Sequence, residues 1–143
     1  MKLPDVNLFL YAYDSRSPRH ESAKAWVEQT LSGTETVGMS WSVLLAFLRL
    51  STREVVLEDP LEVKDAIDLM ESWLEQPCVT VINPTKRHLA VLRDLLEPLG
   101  TAGNLTTDAH LAALAIEHGA TLYSSDRDFA RFAGLRWVDP LRA

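Results

Sequence analysis

Cysteine occurs once in the 143 residues, at Cys78. A lone thiol forms no intrachain disulfide and no cysteine-based zinc cluster, and it suits a reducing compartment. Histidine occurs four times, at His20, His88, His110 and His118. None of the intervals has metal-ligand spacing, so a surface role is expected for all four. No stretch is long and apolar enough to span a bilayer. The N-terminal apolar run holds Asp5 and Asn7 behind a single lysine, which does not read as a secretion signal; a cytoplasmic location is expected. The glycine patterns GxxxxGKS/T, GxGxxG and GxSxG do not occur, so their chemistries have no support. Positive charge is also scarce: 14 Lys and Arg face 20 Asp and Glu, for a net charge of −6. That argues against a broad nucleic-acid-binding surface. It leaves room for a metal-dependent nuclease, because bound cations cancel site carboxylates locally.

Apolar residues make up 47% of the chain, enough for a full core in one domain spanning 1–143. Residues 2–6 read as a short buried strand followed at once by helix. Ser17-Pro18 reads as the start of a second helix, carried to Gly33 by Ala23, Trp26, Val27, Thr30 and Leu31 at helical spacing. A weak strand at 36–39 precedes a helix capped by Ser40 and running to about Thr52. That helix is apolar nearly all round, which suits burial on two sides or a partner surface. A helix at 62–75 is expected to bury Val63, Ile67, Met70 and Trp73 or Leu74. A strand at 79–82 follows, then a helix lined by Leu89, Leu92, Leu95, Leu96 and Leu99. Residues 106–118 predict a helix, 121–123 a strand, 126–132 a short helix and 135–138 a last strand. Alternating strands and helices predict an α/β fold whose mainly parallel sheet is covered on both faces. About five strands in a doubly wound order would run 3-2-1-4-5, with the ligand crevice beyond the C-terminal ends of strands 1 and 4.

Three acids fall at that crevice. Asp5 ends strand 1 and Asp126 follows strand 4. Asp108 opens the helix between them, on the face of Leu111, Ala112 and Ala115. Gathered carboxylates repel each other, and a hard divalent cation, Mg²⁺ or Mn²⁺, is the usual remedy. Each acid alone has a plainer role. Asp5 suits a helix cap, Asp108 a helix N-terminus, and Asp126 or Asp128 the cap of the next turn. Their convergence is what points to metal-assisted phosphodiester chemistry. Asn7 either orients a ligand carboxylate or a metal-bound water, or caps the first helix. Ser124 and Thr107 either hold carboxylates or satisfy local backbone. Basic side chains cluster at Arg127, Arg131, Arg136 and Arg142, and again at Arg87, His88 and Arg93. Solvated faces are the plain account of both groups.

Four segments together are specific: Asp5-Val6-Asn7; Gly103-Asn104-Leu105-Thr106-Thr107-Asp108-Ala109-His110-Leu111-Ala112-Ala113; His118 to Phe129 through Ser124-Ser125-Asp126-Arg127-Asp128; and Arg136-Trp137-Val138-Asp139-Pro140-Leu141. Through them the whole chain resembles the PIN-domain ribonucleases, specifically the VapC toxins of type II toxin–antitoxin systems abundant in mycobacteria. The resemblance implies a PIN-like three-layer α/β/α sandwich, a homodimer, and cleavage of RNA to 5′-phosphate and 3′-hydroxyl ends with Mg²⁺ or Mn²⁺. It implies a VapB-type antitoxin that blocks the site, and binding to operator DNA only through that complex. Asp5 and Asp108 are then expected to hold the cation, Asp126 to bind it or its waters, and Asp128 to assist, with Asn7 and Ser124 in support. The basic C-terminal segment and Arg87 or Arg93 are candidates for holding the RNA backbone. One departure stands out. The family usually has a Glu early in its third helix, whereas no acid lies between Thr36 and Arg53. Ser40 or Ser42 acts there through a water, or the site uses fewer carboxylates. Two alternatives remain: a catalytically weak PIN-fold interaction module, and a haloacid-dehalogenase-type phosphatase with Asp5 as nucleophile. The latter chemistry needs an acid where Asn7 stands.

Overall fold

The computed structural model describes residues 1–142. Its strands are β1 (Lys2–Pro4), β2 (Val37–Ser40), β3 (Val79–Ile82), β4 (Thr121–Tyr123) and β5 (Trp137–Val138). They form one sheet in the order β3-β2-β1-β4-β5, with every pairing parallel. Six α-helices surround it: α1 (Val6–Tyr13), α2 (His20–Leu31), α3 (Trp41–Ser51), α4 (Val63–Leu74), α5 (His88–Leu96) and α6 (Thr106–Glu117). The α/β class and the 3-2-1-4-5 order are as expected from the sequence. Right-handed crossovers place α1–α4 on one face and α5–α6 on the other, because the chain reverses direction across the sheet after β3. Accordingly α1 packs on α2 and α3, α3 on α4, and α5 on α6.

The strands are apolar on both faces, as a doubly covered sheet requires. Leu3, Val37, Met39 and Leu122 are fully buried. β1 stops at Pro4, earlier than residue 6, because the Asp5 carboxylate accepts a hydrogen bond from Val6 N at 2.8 Å and caps α1. Pro4 also shapes the crevice. Lys2 N donates to Thr36 O on the β2 side and Asp5 N to Tyr123 O on the β4 side. Alternation turns the position of Pro4 toward β2, and proline has no N–H to give. β1 therefore pairs with β2 only at Lys2–Val37, but with β4 along all three residues. The β1–β2 junction is released at the end of the sheet where the acids gather.

Several elements differ from their sequence reading. α2 begins at His20, because Ser17 caps only a local turn through Arg19 N. α4 buries Ala66, Met70 and Trp73, leaving Val63 and Ile67 exposed. Trp73 sets that rotation by packing against Phe9 and Phe47, with ring centroids 4.4 and 4.7 Å apart. α5 buries Val91 and Leu95 but turns Leu89 to solvent. Residues 127–131 form a 3₁₀ turn, and the last strand is only Trp137–Val138. Among the described residues, no helix is long and apolar enough to cross a membrane.

Candidate metal centre

The strand ends deliver the acids. Asp5 leaves β1 with both carboxylate oxygens engaged: Oδ1 by Val6 N, and Oδ2 by the Ser124 hydroxyl at 2.8 Å. Ser124, fully buried after β4, is the hub. Its Oγ donates to Asp5 and accepts from Asp126 N at 3.0 Å and from Asn7 Nδ2 at 3.2 Å. Its carbonyl accepts from Trp137 Nε1 at 2.9 Å, and its own N–H donates to Val138 O, so β5 fixes the hub in place. One hydroxyl thus ties the end of β1, the start of α1 and the loop after β4 together. Asn7 does not cap α1, and its Oδ1 is buried without a partner.

Asp126 caps the 3₁₀ turn by accepting from Asp128 N at 2.9 Å. The same bond brings the two side chains together. Asp108 reaches them from the first turn of α6, and Asp108, Asp126 and Asp128 each place a carboxylate oxygen within 4.8 Å of the others. Asp5 lies just outside that closest group, yet near enough to act on it. The Asp108 carboxyl is pushed up from 3.8 to about 6, first by burial and then by the charges of Asp5, Asp126 and Asp128. Asp5 is also raised, chiefly by burial, against the lowering effect of its bonds to Ser124 and Val6.

Acids held together at a cost to their own ionisation are what a cation relieves. The donors are all hard oxygens, and opposed ligands of Mg²⁺ or Mn²⁺ stand about 4 Å apart. The cluster fits a hard divalent cation and offers nothing to a thiophilic one. Beside it lies a crevice of about 180 Å³ lined by Asp5, Asp108, Thr107, Ser42, Ala46 and Arg49, among others. Ser42, Ala46 and Arg49 share one face of α3, at spacings of four and seven. Ser40 lies buried behind the lining: it caps α3 through Ser42 N, and its Oγ meets Ser42 Oγ at 2.7 Å. The third helix therefore offers the site a hydroxyl and a guanidinium, and no carboxylate. A larger apolar groove of about 530 Å³ lies apart from the acids, between α1, α2 and α4.

Two groups differ from the surface roles expected of them. His88 Nδ1 bonds to Glu117, His88 Nε2 meets His110 Nδ1 at 2.9 Å, and Glu117 also accepts from Thr85 N. These contacts strap α5 to α6 and are structural. Arg136 donates to Gly119 O just beyond α6, so it too is partly structural. Arg49 carried no motif in the sequence. Its one legible signal was its seven-residue spacing from Ser42, which means nothing until α3 is placed against Asp5 and the start of α6.

The chain matches the PIN domain family over residues 2–135. It is 47% identical over 142 residues to Ribonuclease VapC33 of Mycobacterium tuberculosis, covering 99% of both proteins. Among solved structures it is similar to VapBC-1 of nontypeable Haemophilus influenzae, with a TM-score of 0.70, 20% identity and coverage of 99% and 98%. It is also similar to VapBC2 of Rickettsia felis bound to a promoter DNA fragment, with a TM-score of 0.69, 20% identity and 96% of each chain covered.

Proposed function

The chain belongs to the PIN-domain family, and on that premise we propose that it is the toxin of a type II toxin–antitoxin pair, an endoribonuclease restrained by a VapB-type antitoxin. The observation that carries this reading is the convergence of Asp5, Asp108, Asp126 and Asp128 on one end of the sheet, in a chain nearly half identical to a named ribonuclease. Asp108, Asp126 and Asp128 would hold a divalent cation, Mg²⁺ or Mn²⁺, with Asp5 beside it. Such an ion supplies a Lewis acid that offsets charge on the scissile phosphate and makes water a better nucleophile. Ser124 holds the Asp5 carboxylate in one orientation. Asn7 locks the hub by donating to the same hydroxyl. A carboxylate of the cluster accepts the proton of the attacking water. In-line attack then leaves a 5′-phosphate and a 3′-hydroxyl.

The partner reading is supported by the solved neighbours, which are VapBC complexes, one of them on promoter DNA. The apolar groove between α1, α2 and α4, with Phe9, Val27, Leu31, Leu69 and Trp73, is where a segment of such an antitoxin would lie. A homodimer is part of the same proposal. The absence of a carboxylate on α3 favours one alternative, an interaction module that binds antitoxin and cuts nothing. The phosphatase alternative lacks its second acid, and the residue in that place, Asn7, is committed to Ser124.

Expression of the wild type and of Asp108→Asn in a bacterial host separates these readings. The ribonuclease arrests growth and leaves discrete RNA fragments that accept an adaptor through a 5′-phosphate, and Asp108→Asn does neither. Equal arrest by both proteins would overturn the catalytic reading.

A further inference from the structure

The third helix lines the crevice without contributing an acid, and what it contributes instead carries a consequence for the substrate. We propose that Arg49 binds a backbone phosphate of the RNA at the edge of the carboxylate crevice, so that α3 supplies the strand with a cation. This rests on the endoribonuclease reading and names a substrate-binding residue for that site.

Arg49 lines the same cavity as Asp5 and Asp108. Ala46 and Ser42 lie one and two turns before it on the same face. Neither is bulky, and both line the cavity with it. Arg49 is exposed, and among the described residues it has no carboxylate within 4.0 Å. Four basic side chains elsewhere are paired, Arg16 with Glu58 and Asp59, Lys24 with Glu28, Lys64 with Asp68, and Arg93 with Glu97; among those that are not, Arg49 is the one that lines the crevice of Asp5 and Asp108. Arg136 is spent on Gly119 O. Arg49 is a cation beside the acidic centre that those acids have not consumed.

Electrostatics favours such a group here. Net charge is −6, and four carboxylates face a polyanion. A cation at the acids offsets them locally, but the strand on either side of the cut still passes along an acidic crevice. A guanidinium presents a planar fork that meets two phosphate oxygens at once, and it stays charged at every working pH. The other lining side chains, Val6, Val43, Leu50, Thr107 and Leu111, offer no charge for a phosphate.

The test compares Asp108→Asn with Asp108→Asn/Arg49→Gln, so that the RNA stays intact. Fluorescence anisotropy follows a labelled, short single-stranded RNA of mixed sequence over a salt series. Arg49→Gln should weaken binding about tenfold, the equivalent of one charge-assisted hydrogen bond. The logarithmic salt slope should shrink by about 0.7, the value for one phosphate contact on a single strand. Arg49→Lys should keep the slope and recover only part of the affinity. In the chain with Asp108 intact, Arg49→Gln should tighten Mn²⁺ binding about threefold, because a like charge leaves the neighbourhood. Opposite signs for RNA and Mn²⁺ are not what a damaged fold produces. Unchanged RNA affinity and salt slope would overturn the role of Arg49, as would joint loss of RNA and Mn²⁺ binding in both Arg49 variants. A wild type that cuts RNA with the same KM as Arg49→Gln overturns this inference alone. A wild type that neither binds nor cuts RNA overturns the ribonuclease reading with it.

Discussion

Asp108 bears the clearest mark of the site, a carboxyl raised to about 6 by burial and three neighbouring acids. Its folded-state value lies above its ordinary 3.8, so in the metal-free chain its protonated form favours folding. That contribution is fully present below about pH 4 and is lost as pH rises through about 6. Asp5 acts in the same direction. Asp108→Asn removes one of the repelling charges. It should raise the melting temperature of the metal-free protein at pH 7 by about 2–4 °C, or about 1 kcal/mol, while abolishing cleavage. Differential scanning fluorimetry in chelator reads this; a lower melting temperature would contradict the repulsion. Cation binding must expel the Asp108 proton. Mn²⁺ affinity should therefore be level above about pH 7 and fall about tenfold per pH unit below 6. A calorimetric titration that is flat from pH 7 to pH 5 would show that Asp108 is not among the ligands.

At the scale of elements, the strands were the most legible part of the sequence. Short apolar runs between breakers, such as Val79–Ile82 between Pro77 and Pro84, admit one reading. Helix faces were less legible, because rotation depends on partners. α4 offers two apolar registers that share Met70, and the choice fell to Trp73 through rings supplied by α1 and α3. On α5 the leucines were the obvious face, yet the bonds from His88 to α6 turned Leu89 outward. For the site, Asp5, Asp126 and Asp108 could be placed at the strand ends by topology alone. Ser124 was legible as a support beside the acids, but its joining of Asp5, Asn7 and Asp126 N was not, since its three bonds come from segments more than a hundred residues apart or from local backbone. On α3, Ser42 rather than Ser40 lines the crevice. Ser42→Glu should therefore tighten Mn²⁺ binding about tenfold by adding a charged oxygen donor, and Ser40→Glu should not. Unchanged affinity in Ser42→Glu would place that helix face too far from the ion.

For the whole molecule, the proposed homodimer needs an apolar surface. α3 keeps Val43, Leu44 and Phe47 inside but exposes Trp41 at 50% and Leu45 at 57%. A helix apolar on both sides suits a second contact, and a dimer there would be isologous. Leu45→Glu should convert a dimer to a monomer in light scattering after size exclusion, with the fold intact by circular dichroism. A wild type that is monomeric at every concentration would remove the dimer from the account.

What decides between the readings is whether Asp5, Asp108, Asp126 and Asp128 together form the metal-dependent centre of an endoribonuclease. The most direct test is cleavage of pooled cellular RNA by purified, antitoxin-free protein with Mn²⁺, with Mg²⁺ and with chelator. The expected result is discrete cuts with either or both ions, none in chelator, and none from Asp108→Asn. Cutting that persists in chelator, or no cutting by a folded protein that still binds its antitoxin, would contradict it.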